Sequence, residues 1–116
     1  NYGWPTTEGP TNDARFRSPI FAYRHSGALL TGFAIVGAAF YNPPLTTFPP
    51  VYGGAYFFGD YVNGWISRLD PDDDNAVYAF ARTGGNLFDL QVGPDGALYA
   101  LARVSATNLV QRYQFP

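Results

Sequence analysis

Few residues in this chain could do chemistry. His25 is the one histidine, and its ordinary pKa suits acid–base work near neutral pH. It sits beside Arg24 with no partner close in sequence, and a histidine without an orienting partner usually has a structural role. Ser18, Ser26, Ser67 and Ser105 lie in no nucleophile-elbow pattern, so no hydrolase triad is predicted. Asp70, Asp72 and Asp74, followed by Asn75, have the spacing that opens a calcium loop. Pro71 stiffens that loop, and its twelfth position would be Ala81 rather than a bidentate Glu. A solvated acidic hairpin turn is the predicted reading. Asp60, Tyr61, Asn63 and Trp65 could line a carbohydrate-binding surface, the rings stacking on sugar and the polar groups fixing hydroxyls. Aromatic residues in strands more often pack, and packing is the preferred reading here. Asp95 has a local task, bonding turn amides. Residue types and spacing therefore assign no catalytic, cofactor-binding or metal-binding residue.

Composition narrows the chemistry further. All seven basic residues are Arg, and Cys and Met are absent. A lysine nucleophile, a Schiff base, a P-loop lysine, a disulfide and a thiolate zinc site are all excluded within this chain. The net charge of −2 gives no electrostatic reason to bind nucleic acid. The most apolar run, Gly27 to Phe40, is too short and too Gly-rich to span a bilayer as a helix. The chain begins at Asn1 without an initiator Met or a signal-peptide pattern. A mature product or a piece of a larger protein is therefore expected.

The elements that would position these groups read as strands. Hydrophobic residues make up 47% and aromatic residues 18%, with 13 Gly and 10 Pro. This composition favours short strands joined by turns. Residues 1–18 read as an irregular entry segment. Candidate strands follow at Ile20–His25, Leu30–Tyr41, Ala55–Asp60, Trp65–Leu69, Ala76–Arg82, Leu87–Val92, Ala97–Arg103 and Leu109–Phe115. Asn63-Gly64 is a tight-turn dipeptide. In Gly93-Pro94-Asp95-Gly96, Pro94 presets the first corner and Gly96 permits positive φ. Gly32 and Gly37 imply a bend or close packing. No helical period appears. Eight strands suit a β-sandwich or about two four-stranded propeller blades, and a propeller needs roughly four to eight blades to close.

Three motifs then occur in order: Asn1-Tyr2-Gly3-Trp4-Pro5, Tyr56-Phe57-Phe58-Gly59-Asp60-Tyr61-Val62-Asn63-Gly64-Trp65-Ile66, and Asp89-Leu90-Gln91-Val92-Gly93-Pro94-Asp95-Gly96-Ala97-Leu98-Tyr99. With Pro19-Ile20-Phe21-Ala22-Tyr23-Arg24-His25, they resemble the C-terminal part of the soluble quinoprotein glucose/sorbosone dehydrogenase-like family. The resemblance covers nearly the whole chain. It implies a six-bladed propeller of which about two blades are present, and an extracellular or periplasmic location. Active members of the family oxidise sugars with pyrroloquinoline quinone (PQQ) and carry calcium. The resemblance implies basic contacts to the quinone carboxylates at positions that fall on Val62, Asn86 and Phe88. None of these is basic, and a tricarboxylate would lose its charge-assisted hydrogen bonds there. The catalytic histidine and main calcium ligands of the family lie upstream of the matching region.

The sequence is thus expected to form an all-β, single partial propeller domain over residues 1–116. The expected function is a non-catalytic extracellular scaffold or interaction module, completed by other copies of itself or by further chain. The alternatives are a segment of a PQQ-dependent sugar dehydrogenase, which alone would require PQQ and calcium, and a carbohydrate-binding module.

Overall fold

The computed structural model describes residues 1–116 and is nearly all β. Seven strands form: β1 (Ile35–Phe40), β2 (Tyr56–Asp60), β3 (Trp65–Asp70), β4 (Ala76–Arg82), β5 (Asn86–Val92), β6 (Leu98–Val104) and β7 (Thr107–Tyr113). They make two antiparallel meanders, ordered β1-β2-β3-β4 and β5-β6-β7. The sheets do not close into a barrel and have the form of incomplete propeller blades. A 3₁₀ turn at Pro50–Tyr52 is the only helical element, so no helix is long and apolar enough to cross a membrane.

One predicted strand is missing, so seven strands form in place of eight, four in the first sheet and three in the second. Ile20–His25 forms no ladder; its backbone makes only an isolated bridge between Arg24 and Thr31. The alternation at Phe21 and Tyr23 has another cause. Both rings lie on the first sheet, Phe21 5.5 Å from Phe58 and Tyr23 edge-on 5.1 Å from Trp65. Side-chain packing alone produces the period of two there.

The predicted turns form where their residues require them. Gly96 takes φ 77°, and its amide closes the turn onto the Gly93 carbonyl at 3.0 Å. Gly37 marks a bulge in β1, where the register to β2 shifts between Val36 and Ala38. Its φ is 61°, and a Cβ there would press on the Leu90 amide at 2.9 Å. Only glycine meets both demands, so β1 can lie close against β5.

The core lies between the sheets. Tyr41, Phe48, Phe57, Ile66, Leu87, Leu90, Leu98 and Ala100 form one buried cluster. A smaller cluster of Phe58, Trp65 and Leu69 lies on the opposite face of the first sheet, under Phe21, Tyr23 and Leu30. Burial is nevertheless incomplete. A folded monomer of this mass exposes about 6,200 Å², whereas this chain exposes 7380 Å². Its radius of gyration is 15.3 Å, against about 13.4 Å for a compact chain of this length.

Candidate functional site

Asp60 ends β2 and is fully buried. One of its oxygens accepts the Tyr23 hydroxyl at 3.0 Å and the amides of Phe33 and Ala34 at 2.7 and 2.8 Å. The other accepts the Asn63 amide at 2.8 Å. Burial pushes this carboxyl up, but the amides of Asn63, Ala34 and Phe33 and the Tyr23 hydroxyl outweigh it and hold Asp60 below the ordinary carboxylate range. Tyr23 is pushed well up, by burial first and then by the carboxylate it faces. Asn63 and the Trp65 indole both donate to the Thr31 carbonyl at 2.9 Å. The side chains considered for sugar binding are therefore occupied in tying residues 23–34 to the first sheet. Of that set Tyr61 and Asn63 are exposed, and the Tyr61 ring stands edge-on to Phe88 at 5.5 Å.

The chain brings Val62, Asn86 and Phe88 into one neighbourhood, around Tyr61. Asn86 donates its side-chain amide to the Tyr61 carbonyl at 3.1 Å, and Leu87 donates its backbone amide to the same oxygen at 3.2 Å. Val62 and Phe88 are exposed and apolar. Arg103 stands opposite Asn86 in the next strand, beside a small depression it shares with Phe88, Leu101 and Asn108. The three positions themselves offer one engaged amide and two hydrocarbon surfaces. That set does not fit the carboxylates of a quinone.

The acidic turn is divided among local tasks. Asp70 pairs with Arg68 at 2.8 Å, with both side chains about 10% exposed. The Arg68 guanidinium lies over Tyr52 at 4.8 Å and Tyr78 at 4.5 Å. Its hydrogen bond holds Asp70 below the usual carboxylate range against the effect of burial. The second Asp70 oxygen accepts the Asp72 amide at 3.0 Å, and Asp73 accepts the Tyr78 hydroxyl. The Asp70 and Asp73 carboxylates bond within the turn and its strands, while Asp72 and Asp74 are exposed.

His25 is exposed and stacks on Phe33 with ring centres 5.2 Å apart. None of the three ion pairs includes it. It lines an open cleft of about 470 Å³ with Tyr2, Arg17, Phe21, Tyr23 and Phe33. Ser18 bonds Thr11 at the entry segment, and Ser67 is buried in β3. Asp95 does bond the Ala97 amide in its turn, at 3.2 Å. It also pairs with Arg112 at 2.7 Å and accepts the Tyr99 hydroxyl at 2.8 Å. The hydrogen bonds from Arg112 and then Tyr99 bring its pKa down to about 2.

Sequence reasoning missed Tyr41. It is 1% exposed, donates to the Gly96 carbonyl at 2.8 Å and accepts the amides of Thr47 and Phe48 at 3.1 and 2.9 Å. It pins the long loop after β1 to the turn between β5 and β6. The only local signal is an aromatic residue just before Asn42-Pro43-Pro44.

No protein-family model and no curated protein matches this chain.

Proposed function

We propose that this chain is a non-catalytic interaction module of the propeller type, a scaffold that associates with copies of itself. The carrying observation is the surface the folded chain as a whole leaves open: about 1,100 Å² beyond what a monomer of this mass exposes. That excess exceeds the roughly 800 Å² per partner of a standard protein interface. Apolar side chains account for part of it. Phe40 and Ile20 on one side of the molecule and Val110 on the other are each more than 60% exposed. Contiguous apolar faces of this kind mark interaction sites. β4 and β7 are also sheet edges, and open edges invite pairing with another chain.

The non-catalytic part of the reading rests on the site residues. Asp60 and Asp70 are held in hydrogen bonds within the fold, and His25 has a ring stack in place of an acid–base partner. An extracellular or periplasmic location belongs to the same proposal and rests on the family resemblance. The ordered motifs along the chain favour a second reading, a segment of a PQQ-dependent sugar dehydrogenase. The residues at Val62, Asn86 and Phe88 weigh against it.

Sedimentation velocity over a wide concentration range, with electron microscopy of the same material, tests the scaffold reading. Discrete assemblies or filaments are expected. A well-folded monomer of 12.7 kDa at every concentration would overturn it.

A further inference from the structure

The cleft beside His25 is built from two parts of the chain, and each is held in place before any ligand arrives. Tyr23 and Phe33 both line it, and a single Asp60 oxygen fixes both. That oxygen accepts the Tyr23 hydroxyl at 3.0 Å and the Phe33 amide at 2.7 Å. His25 is stacked on Phe33. On the other side, Arg17 donates its backbone amide to the Asn1 carbonyl at 2.9 Å, which holds Tyr2, the next residue, near Arg17. The volume of about 470 Å³ lies within the range of small-molecule sites.

The lining selects a ligand chemistry. Its walls are mostly rings, from Tyr2, Phe21, Tyr23 and Phe33, and no carboxylate lines it. Arg17 is always charged, yet it belongs to none of the three ion pairs. His25 offers an N–H in either protonation state. Asp60 is fully buried and already meets four donors, and Asp13 is taken by Arg15. Glu8 is exposed and outside the lining, next to Gly9 within it. The Tyr23 hydroxyl is spent on Asp60, so the hydroxyls of a sugar would find few partners and would be costly to bury. A flat ring suits these walls, and a carboxylate suits a free guanidinium, which can hold it with two parallel hydrogen bonds.

We propose that this cleft binds a small aromatic carboxylate, its ring among Phe21, Tyr23 and Phe33 and its acid group on Arg17. The site is complete within one chain and does not depend on the self-association proposed above.

Calorimetric titration of the full chain with 2-naphthoate tests it. Saturable binding with Kd of about 1 mM or tighter is expected for a ligand of this size. Arg17→Gln should weaken it about tenfold, the loss of one charge-assisted contact. The neutral alcohol 2-naphthalenemethanol should bind the parent chain and Arg17→Gln equally. Phe33→Ala keeps the amide that Asp60 accepts and removes the ring, so it should weaken both ligands. Circular dichroism checks its fold, and Phe33→Leu replaces it if it does not fold. Glucuronate, an acid without an aromatic ring, should bind more weakly than naphthoate. The proposal is overturned if naphthoate shows no saturation up to about 10 mM, or if Arg17→Gln or loss of the Phe33 ring leaves its binding unchanged. Glucuronate binding as tightly as naphthoate would overturn it in favour of a sugar-acid site.

Discussion

Tyr23 donates its hydroxyl to Asp60 at 3.0 Å across 37 residues of chain. The bond joins a segment without ladder partners to the last residue of β2. The same carboxylate oxygen accepts the Phe33 and Ala34 amides, so one buried anion organises the whole approach to β1.

Asp60→Asn should therefore destabilise the chain out of proportion to its size. An Asn side chain places an NH₂ where one carboxylate oxygen meets only donors. A buried unsatisfied donor costs about 1–3 kcal/mol, more where a charged partner is lost. Tyr23→Phe removes one bond of the four and should cost less, about 1 kcal/mol. Urea unfolding of both variants checks the order. Equal midpoints for Asp60→Asn and the parent chain would remove Asp60 from this role.

Stability should fall in acid. Asp60, Asp70 and Asp95 all titrate below the ordinary value in the folded chain, Asp95 at about 2. A lowered folded pKa means that the unfolded chain binds more protons in this range. Stability from these groups is therefore present above the unfolded carboxylate value and is lost as pH falls through the folded values. A plateau above about pH 5 and a decline between about pH 4 and 2 are expected. Asp60→Asn should flatten part of that decline. Melting temperatures from pH 7 to 2 measure both curves, and identical slopes would contradict the assignment to Asp60.

Arg68→Lys should not behave as a conservative change. A lysine ammonium cannot lie flat over Tyr52 and Tyr78 while reaching Asp70. A loss of about 1–3 kcal/mol is expected, since removing one partner's geometry leaves the other poorly compensated. Calorimetric titration of the parent chain with calcium should show no micromolar binding that depends on Asp72. Asp72→Ala abolishing such binding would show that the turn opens to an ion.

The chain reconstituted with PQQ and calcium should show no saturable dye reduction with aldoses. The expectation follows from Val62, Phe88 and the engaged amide of Asn86. Turnover above a heat-treated control would instead favour the dehydrogenase-segment reading.

Seven of the strands were legible because each combines apolar or aromatic alternation with its own turn chemistry. Asn63-Gly64 and Gly93-Pro94-Asp95-Gly96 separate strands that pair, and Thr83-Gly84-Gly85 carries the chain from β4 in the first sheet to β5 in the second. Ile20–His25 carries the same alternation, but its rings meet the first sheet while its backbone stays out of it. A period of two records which side chains face the protein, and it is silent on whether a neighbouring strand supplies hydrogen bonds.

The sequence by itself determined the all-β class, the turn positions and the exclusion of lysine and cysteine chemistry, since these depend on local backbone preference and on residues being present. Only the tertiary structure decided the strand count of the second sheet, the burial of Asp60 and Trp65, and the division of the acidic turn between Arg68 and Tyr78. Each of those depends on contacts between distant parts of the chain. Asp60 and Tyr23 look like ordinary polar residues in sequence; folding brings Tyr23 and the Phe33 and Ala34 amides onto one oxygen and the Asn63 amide onto the other.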